Sequence, residues 1–153
     1  GALCLAILLG FIGWRASPQD PDGHPLLLLP DVKRVEDYRF RVGDWVDELY
    51  LLDGRLTTLL AGSGDLLSQS RTAQQAFEDS LALTQETDRL AAPPALVGLQ
   101  EAASRTALAY LEAARRVLLW ISAPTPAHYD QAVQQILTGR SQLAELESST
   151  WIR

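Results

Sequence analysis

From Val35 to Leu59 the apolar positions fall at alternating steps of three and four: Val35, Tyr38, Val42, Trp45, Leu49, Leu52, Leu56 and Leu59. This is an unbroken a/d heptad seam. The residues between are largely charged: Glu36, Asp37, Arg39, Arg41, Asp44, Asp47, Glu48, Asp53 and Arg55. A helix with such a stripe cannot leave it in water and must pack lengthwise against other helices. Three later stretches supply matching faces. From Asp65 to about Leu90 the inward side carries Leu66, Ala73, Ala76, Phe77, Ser80, Leu81, Leu83 and Thr84, a smaller and more polar stripe. From Ala95 to about Ser122 the seam runs Leu96, Leu99, Ala103, Thr106, Tyr110, Ala113, Val117 and Trp120. Ala107, Leu111, Ala114, Leu118 and Ile121 widen that face, which makes this stretch the natural central partner of the first. The last stretch presents Tyr129, Ala132, Val133, Ile136, Leu137, Leu143 and Leu146, and is expected to end near Trp151.

The breaks between the stripes are short and chemically distinct. Pro30-Asp31 is expected to open the first helix with Asp31 as N-cap, and Gly62-Ser63-Gly64 to end it near Ala61. Ala91-Ala92-Pro93-Pro94 stops the second. Ala123-Pro124-Thr125-Pro126 stops the third and offers Thr125 as the N-cap of the fourth, with Pro126 in its first turn. Connections of four or five residues force neighbouring helices to run antiparallel. The seams repeat every 3.5 residues, which favours left-handed crossings near ~20°.

The first fourteen residues break this pattern. Ala2 to Trp14 contains no charge, with Leu3, Leu5, Ile7, Leu8, Leu9, Phe11 and Ile12 followed by Trp14-Arg15, a pair suited to the membrane interface. Thirteen residues make ~20 Å of helix, short of the ~30 Å hydrocarbon core. The run is therefore expected to be the end of a transmembrane helix whose beginning precedes Gly1, ahead of an uncleaved signal-peptide core or a buried helix. Residues 16–30 hold four prolines, the last of them Pro30, and read as an extended linker. The fold class is thus all-α: an N-terminal transmembrane helix followed by an up-down-up-down four-helix bundle. Its divisions are a membrane anchor at 1–15, a Pro-rich linker at 16–30 and the bundle at 31–153.

Composition removes several kinds of chemistry. Net charge is −6 with acids and bases interleaved, so no basic track exists for phosphates and nucleic-acid binding is not expected. The one cysteine, Cys4, precedes most of the apolar run and follows Leu3, which is not the order of a lipidated cysteine. The two histidines are His24, in the linker, and His128, in the first turn of the last helix; neither follows a glutamate by three residues as a di-iron bundle requires. Methionine is absent. No HExxH, GxSxG, GxxxxGK or GxGxxG motif occurs, and the acids sit near arginines at helical spacing, as in Asp37–Arg41, Glu101–Arg105 and Glu112–Arg115/Arg116. No catalytic, cofactor or metal residues are assigned, and the chain is read as not an enzyme.

The expected function is that of a membrane-anchored accessory or scaffold subunit. Its partners are the lipid bilayer through residues 1–15 and other membrane-protein subunits through the bundle. Candidate partner contacts are Arg115 and Arg116, and Trp151 beyond the last seam residue. Ala16 to Val32 carries three aspartates and no lysine or arginine, which places residues 16–153 outside the cytoplasmic membrane. The alternative reading is an extracytoplasmic ligand-binding or sensor-like bundle, in keeping with an architecture that resembles the four-helix modules of bacterial receptors.

Overall fold

The structure, a computed structural model, describes residues 30–62 and 64–149. Among these are four α-helices and no strand: α1 (Pro30–Leu60), α2 (Leu66–Arg89), α3 (Val97–Ser122) and α4 (Pro126–Ser148), with a 3-10 turn at Pro94–Leu96 leading into α3. The chain divides into two compact units, Gly1–Arg34 and Val35–Arg153. In the first, the described residues are the opening turn of α1. Asp31 is not a cap but a member of that turn, where its carboxylate pairs with Arg34. The anchor expected at 1–15 and the linker at 16–29 lie outside the described residues. No described helix is long and apolar enough to cross a membrane.

In the second unit the helix ends follow local chemistry. Gly62 (φ 69°) and Gly64 (φ 109°) take left-handed conformations that a side chain would strain, and Gly62 donates its N–H back to the Leu59 carbonyl at 3.0 Å. Asp65 then caps α2 by accepting from the Ser68 N–H at 3.0 Å. Thr125 caps α4 by accepting from the His128 N–H at 3.1 Å, with Pro126 at the first helical position. Between α2 and α3 the Gln100 side chain forms a clasp. Its amide donates to the carbonyls of Thr87 (3.3 Å) and Leu90 (3.0 Å), and its oxygen accepts from the Ala92 N–H (3.2 Å).

Cross-helix bonds give the topology. Arg41 reaches Glu86, while Arg55 reaches Asp79, so α2 descends as α1 rises. Thr106 meets the Gln142 carbonyl and Arg116 meets Gln131, so α4 descends along α3. Asp53 binds Arg140 and Tyr50 binds Glu147, which closes α4 antiparallel against α1. The four helices therefore form an up-down-up-down bundle.

All eight residues of the α1 seam face the core, seven of them buried and Val35 partly so. The α3 seam behaves likewise, except that Trp120 is half-buried and packs edge-on against Tyr129 at 5.6 Å. On α2 the buried residues are Ala73, Ala76, Ser80, Leu83, Thr84 and Thr87. The three hydroxyls bond carbonyls of their own helix, so they enter the core without an unmet donor. Leu66 and Leu81, expected inside, are exposed. Leu66 is the first residue of α2, and Leu81 stands one position off the Ala73–Ala76–Ser80–Leu83–Thr87 seam. On α4 the seam is Ala132, Ile136, Gly139, Leu143 and Leu146, which leaves Tyr129 and Leu137 on the surface.

Candidate protein-contact surface

One interior polar cluster fixes how α1 is held. The Tyr110 ring, fully buried, crosses from α3 and lies against Gly139 of α4; a Cβ there would meet its ring carbons at 3.1 to 3.3 Å. Its hydroxyl donates to Asp53 Oδ1 at 3.1 Å. Arg140 grips the same carboxylate with Nε at 2.9 Å and Nη2 at 2.8 Å, and Nη2 also donates to Thr57 Oγ1 at 2.8 Å. This bidentate fork joins α1, α3 and α4 at one level. Burial first, and the Asp53 charge second, hold the Tyr110 hydroxyl well above the usual phenol range. The same carboxylate raises the Arg140 guanidinium.

With α1 set in this way, its outer face is open. Phe40 is 73% exposed, Leu51 is 65% exposed and Tyr50 is 50% exposed. A groove of about 560 Å³ between α1 and the end of α4 is lined by Glu36, Arg39, Phe40, Gly43, Asp44, Val46, Asp47 and Glu147. A second, of about 390 Å³, lies between α1 and the start of α2 and is lined by Leu51, Gly54, Arg55, Thr58, Leu59, Ser68, Gln69 and Thr72. Large apolar side chains thus stand beside concave surface on this face, as Leu66 and Leu67 also stand exposed on α2. The arginines nearby are held in ion pairs. Arg39 pairs with Glu36, Arg41 with Glu86 and Asp44, and Arg55 with Asp79. Glu48, between the two grooves, is raised above the usual carboxylate range by desolvation.

The contacts expected from sequence lie elsewhere. Arg115 is exposed on α3, 3.4 Å from Glu112. Arg116 is held by Glu112 at 2.7 Å and by Gln131 at 3.0 Å, so it ties α3 to α4. Trp151 lies outside the described residues. Arg41 turns to Glu86 and Asp44 rather than to Asp37, and Glu101 and Arg105 are not paired. Phe40 and Leu51 escaped a reading built on seams, because each is an apolar residue off the seam. In sequence each is followed three positions later by a mid-helix glycine, Phe40-Arg41-Val42-Gly43 and Leu51-Leu52-Asp53-Gly54, a spacing that the buried Ile136 and Gly139 share.

His128 Nδ1 is 2.6 Å from the Ala123 carbonyl oxygen, at the α3–α4 connection. Among the described residues no group of three or more His, Cys, Asp or Glu is placed to hold a metal ion. Comparison with known proteins returned no match: no family model fits the chain, and no curated protein and no solved structure is similar to it.

Proposed function

We propose that the chain is a non-catalytic accessory or scaffold subunit, anchored in a membrane through residues 1–15 and packing against other proteins of a membrane complex. The observation that carries this is the outer face of α1, where Phe40 and Leu51 stand exposed beside two grooves. A lone bundle gains nothing from large apolar side chains held in water, whereas a contact surface buries them on assembly. The carboxylates Glu86, Asp79, Asp53 and Glu112 are each bound to an arginine, which suits a structural role. The acidic flank at residues 16–32 supports a bundle on the extracytoplasmic side.

A photocrosslinking residue placed at Phe40, at Leu51 or at Arg115 in membranes tests this. Stoichiometric adducts with a separate polypeptide are expected from the two α1 positions. Adducts from Arg115 alone would move the contact to α3, and none from any position would end the scaffold reading. Protease added to intact spheroplasts should cut within residues 17–30 and release the bundle; protection until the membrane is broken would place it in the cytoplasm.

A second reading, an extracytoplasmic ligand-binding bundle, draws on a separate observation. Tyr38 Oη and Trp45 Nε1 are buried polar atoms without a hydrogen-bond partner among the described residues. A thermal shift on adding small metabolites, with no co-purifying subunit, would favour it.

A further inference from the structure

The outer face of α1 repeats itself. Phe40 and Leu51 are eleven residues apart, about three turns, so they stand on one side of the helix ~16 Å from each other. Gly43 and Gly54 follow each of them at the same offset. Both glycines are inside a helix, where glycine is disfavoured, and neither has an internal packing reason: a Cβ at either would meet nothing within 4 Å. Between the two apolar residues stands Asp47, exposed and in no ion pair among the described residues, one turn from Asp44. Asp44 is shared with Arg41, and the neighbouring Arg39, Arg41 and Arg55 are engaged by Glu36, Glu86 and Asp79. The stripe is apolar at both ends, negative in the middle, and low at the two glycines.

We propose that this stripe seats one amphipathic helix of a partner protein, with a lysine or arginine midway along its contact face and small or apolar residues about one and a half turns to either side. This deepens the scaffold reading and rests on it. The glycines let the partner backbone come close, and Phe40 and Leu51 flank its apolar residues. The central cation then meets Asp47 in partly excluded water, where charge complementarity selects the partner. A second copy of this chain has the shape but the wrong charge. Packed antiparallel about Asp47, it would lay Phe40 over Gly54 and Leu51 over Gly43, yet set Asp47 against Asp47 in a chain of net charge −6. An anionic lipid surface is repelled by the same acids.

The test uses the full chain in detergent and two fluorescent helical peptides of about 21 residues with one alanine–leucine stripe, differing only in a lysine or a glutamate at its centre. Anisotropy titration should show the lysine peptide binding about tenfold or more tightly than the glutamate peptide, and Asp47→Lys should reverse the order. Gly54→Leu should weaken the lysine peptide about tenfold without lowering the melting temperature, since its Cβ meets nothing within 4 Å in the free protein and Gly54 is exposed. Equal affinity for the two peptides, or indifference to Asp47→Lys, would overturn the proposal. A dimer in sedimentation that Asp47→Asn tightens would assign the stripe to a second copy and overturn it too. Peptides that fail to discriminate while subunits still crosslink to α1 sink this helix alone; the absence of any crosslinked subunit sinks the scaffold reading whatever the peptides do.

Discussion

Tyr38 and Tyr110 are both buried phenols, and among the described residues Tyr110 alone of the two finds a partner for its hydroxyl. Tyr110 donates to Asp53 at 3.1 Å, whereas Tyr38 Oη is buried without a partner and its ring packs edge-on to Trp45 at 6.0 Å. A buried hydroxyl left unbonded costs ~1–3 kcal/mol, while a bond to a charged acceptor contributes about as much. The two conservative substitutions should therefore have opposite signs. Tyr38→Phe is expected to raise stability by ~1 kcal/mol, and Tyr110→Phe to lower it by ~1–2 kcal/mol, both read from urea midpoints. A loss at Tyr38→Phe would show that its hydroxyl is satisfied in solution, by water or by a bound molecule. Neither partnership was legible in the sequence. The seam places both rings inside, but which polar group lies within reach of a ring tip depends on helix rotation and register, which a period does not encode.

Among the elements, α1 was the most legible and α4 the least. The α1 seam is apolar at every position and continuous for seven turns, so the period alone fixes the buried face. The α4 seam contains Gly139, which a hydrophobic pattern passes over, and the neighbouring Leu137 was credited with an inward place that it does not hold. The reason is steric: Tyr110 from α3 fills the space in front of Gly139, so α4 turns its smallest residue to the core at that level. The exposed apolar face of α1 was illegible for a related reason. Phe40 and Leu51 lie off the seam and were hidden among charged neighbours, while Arg115 and Arg116, conspicuous as an adjacent pair, prove to share Glu112. The glycines give a test at this scale. Gly54→Ala, in open space, should gain ~0.5–1 kcal/mol from helix propensity. Gly139→Ala gains the same propensity but presses its Cβ on a ring that is fully buried and held at its hydroxyl, so a net loss of ~1–2 kcal/mol is expected. A gain at Gly139→Ala in thermal unfolding would mean that the Tyr110 ring is free to move aside.

For the molecule as a whole, the buried phenols set the alkaline limit. Burial pushes the Tyr38 hydroxyl up to about 12, and burial with the Asp53 charge raises Tyr110 further. In the unfolded chain both ionise near the ordinary value of ~10. Above that pH the unfolded state releases protons that the native state keeps, so ν_U is smaller than ν_N and stability falls as pH rises. The contribution of each ring is complete below about pH 10 and is lost as pH climbs through its folded value. For Tyr38, two units correspond to ~2–3 kcal/mol, a sizeable share of a stability of ~5–15 kcal/mol. Loss at Tyr110 carries a second consequence, because a phenolate beside Asp53 repels the carboxylate that Arg140 grips, and the closure of α4 on α1 weakens with it. The urea midpoint should thus stay level to about pH 9.5 and decline steadily toward about pH 12. Pairing Tyr38→Phe with Tyr110→Phe removes the two buried phenols and leaves Tyr50, which its bond to Glu147 also raises, so the double variant should start at a lower or similar midpoint and decline much less across the same range. An equally steep decline in that variant would show that the alkaline loss arises outside the core, and that the two rings do not hold their protons as their burial requires.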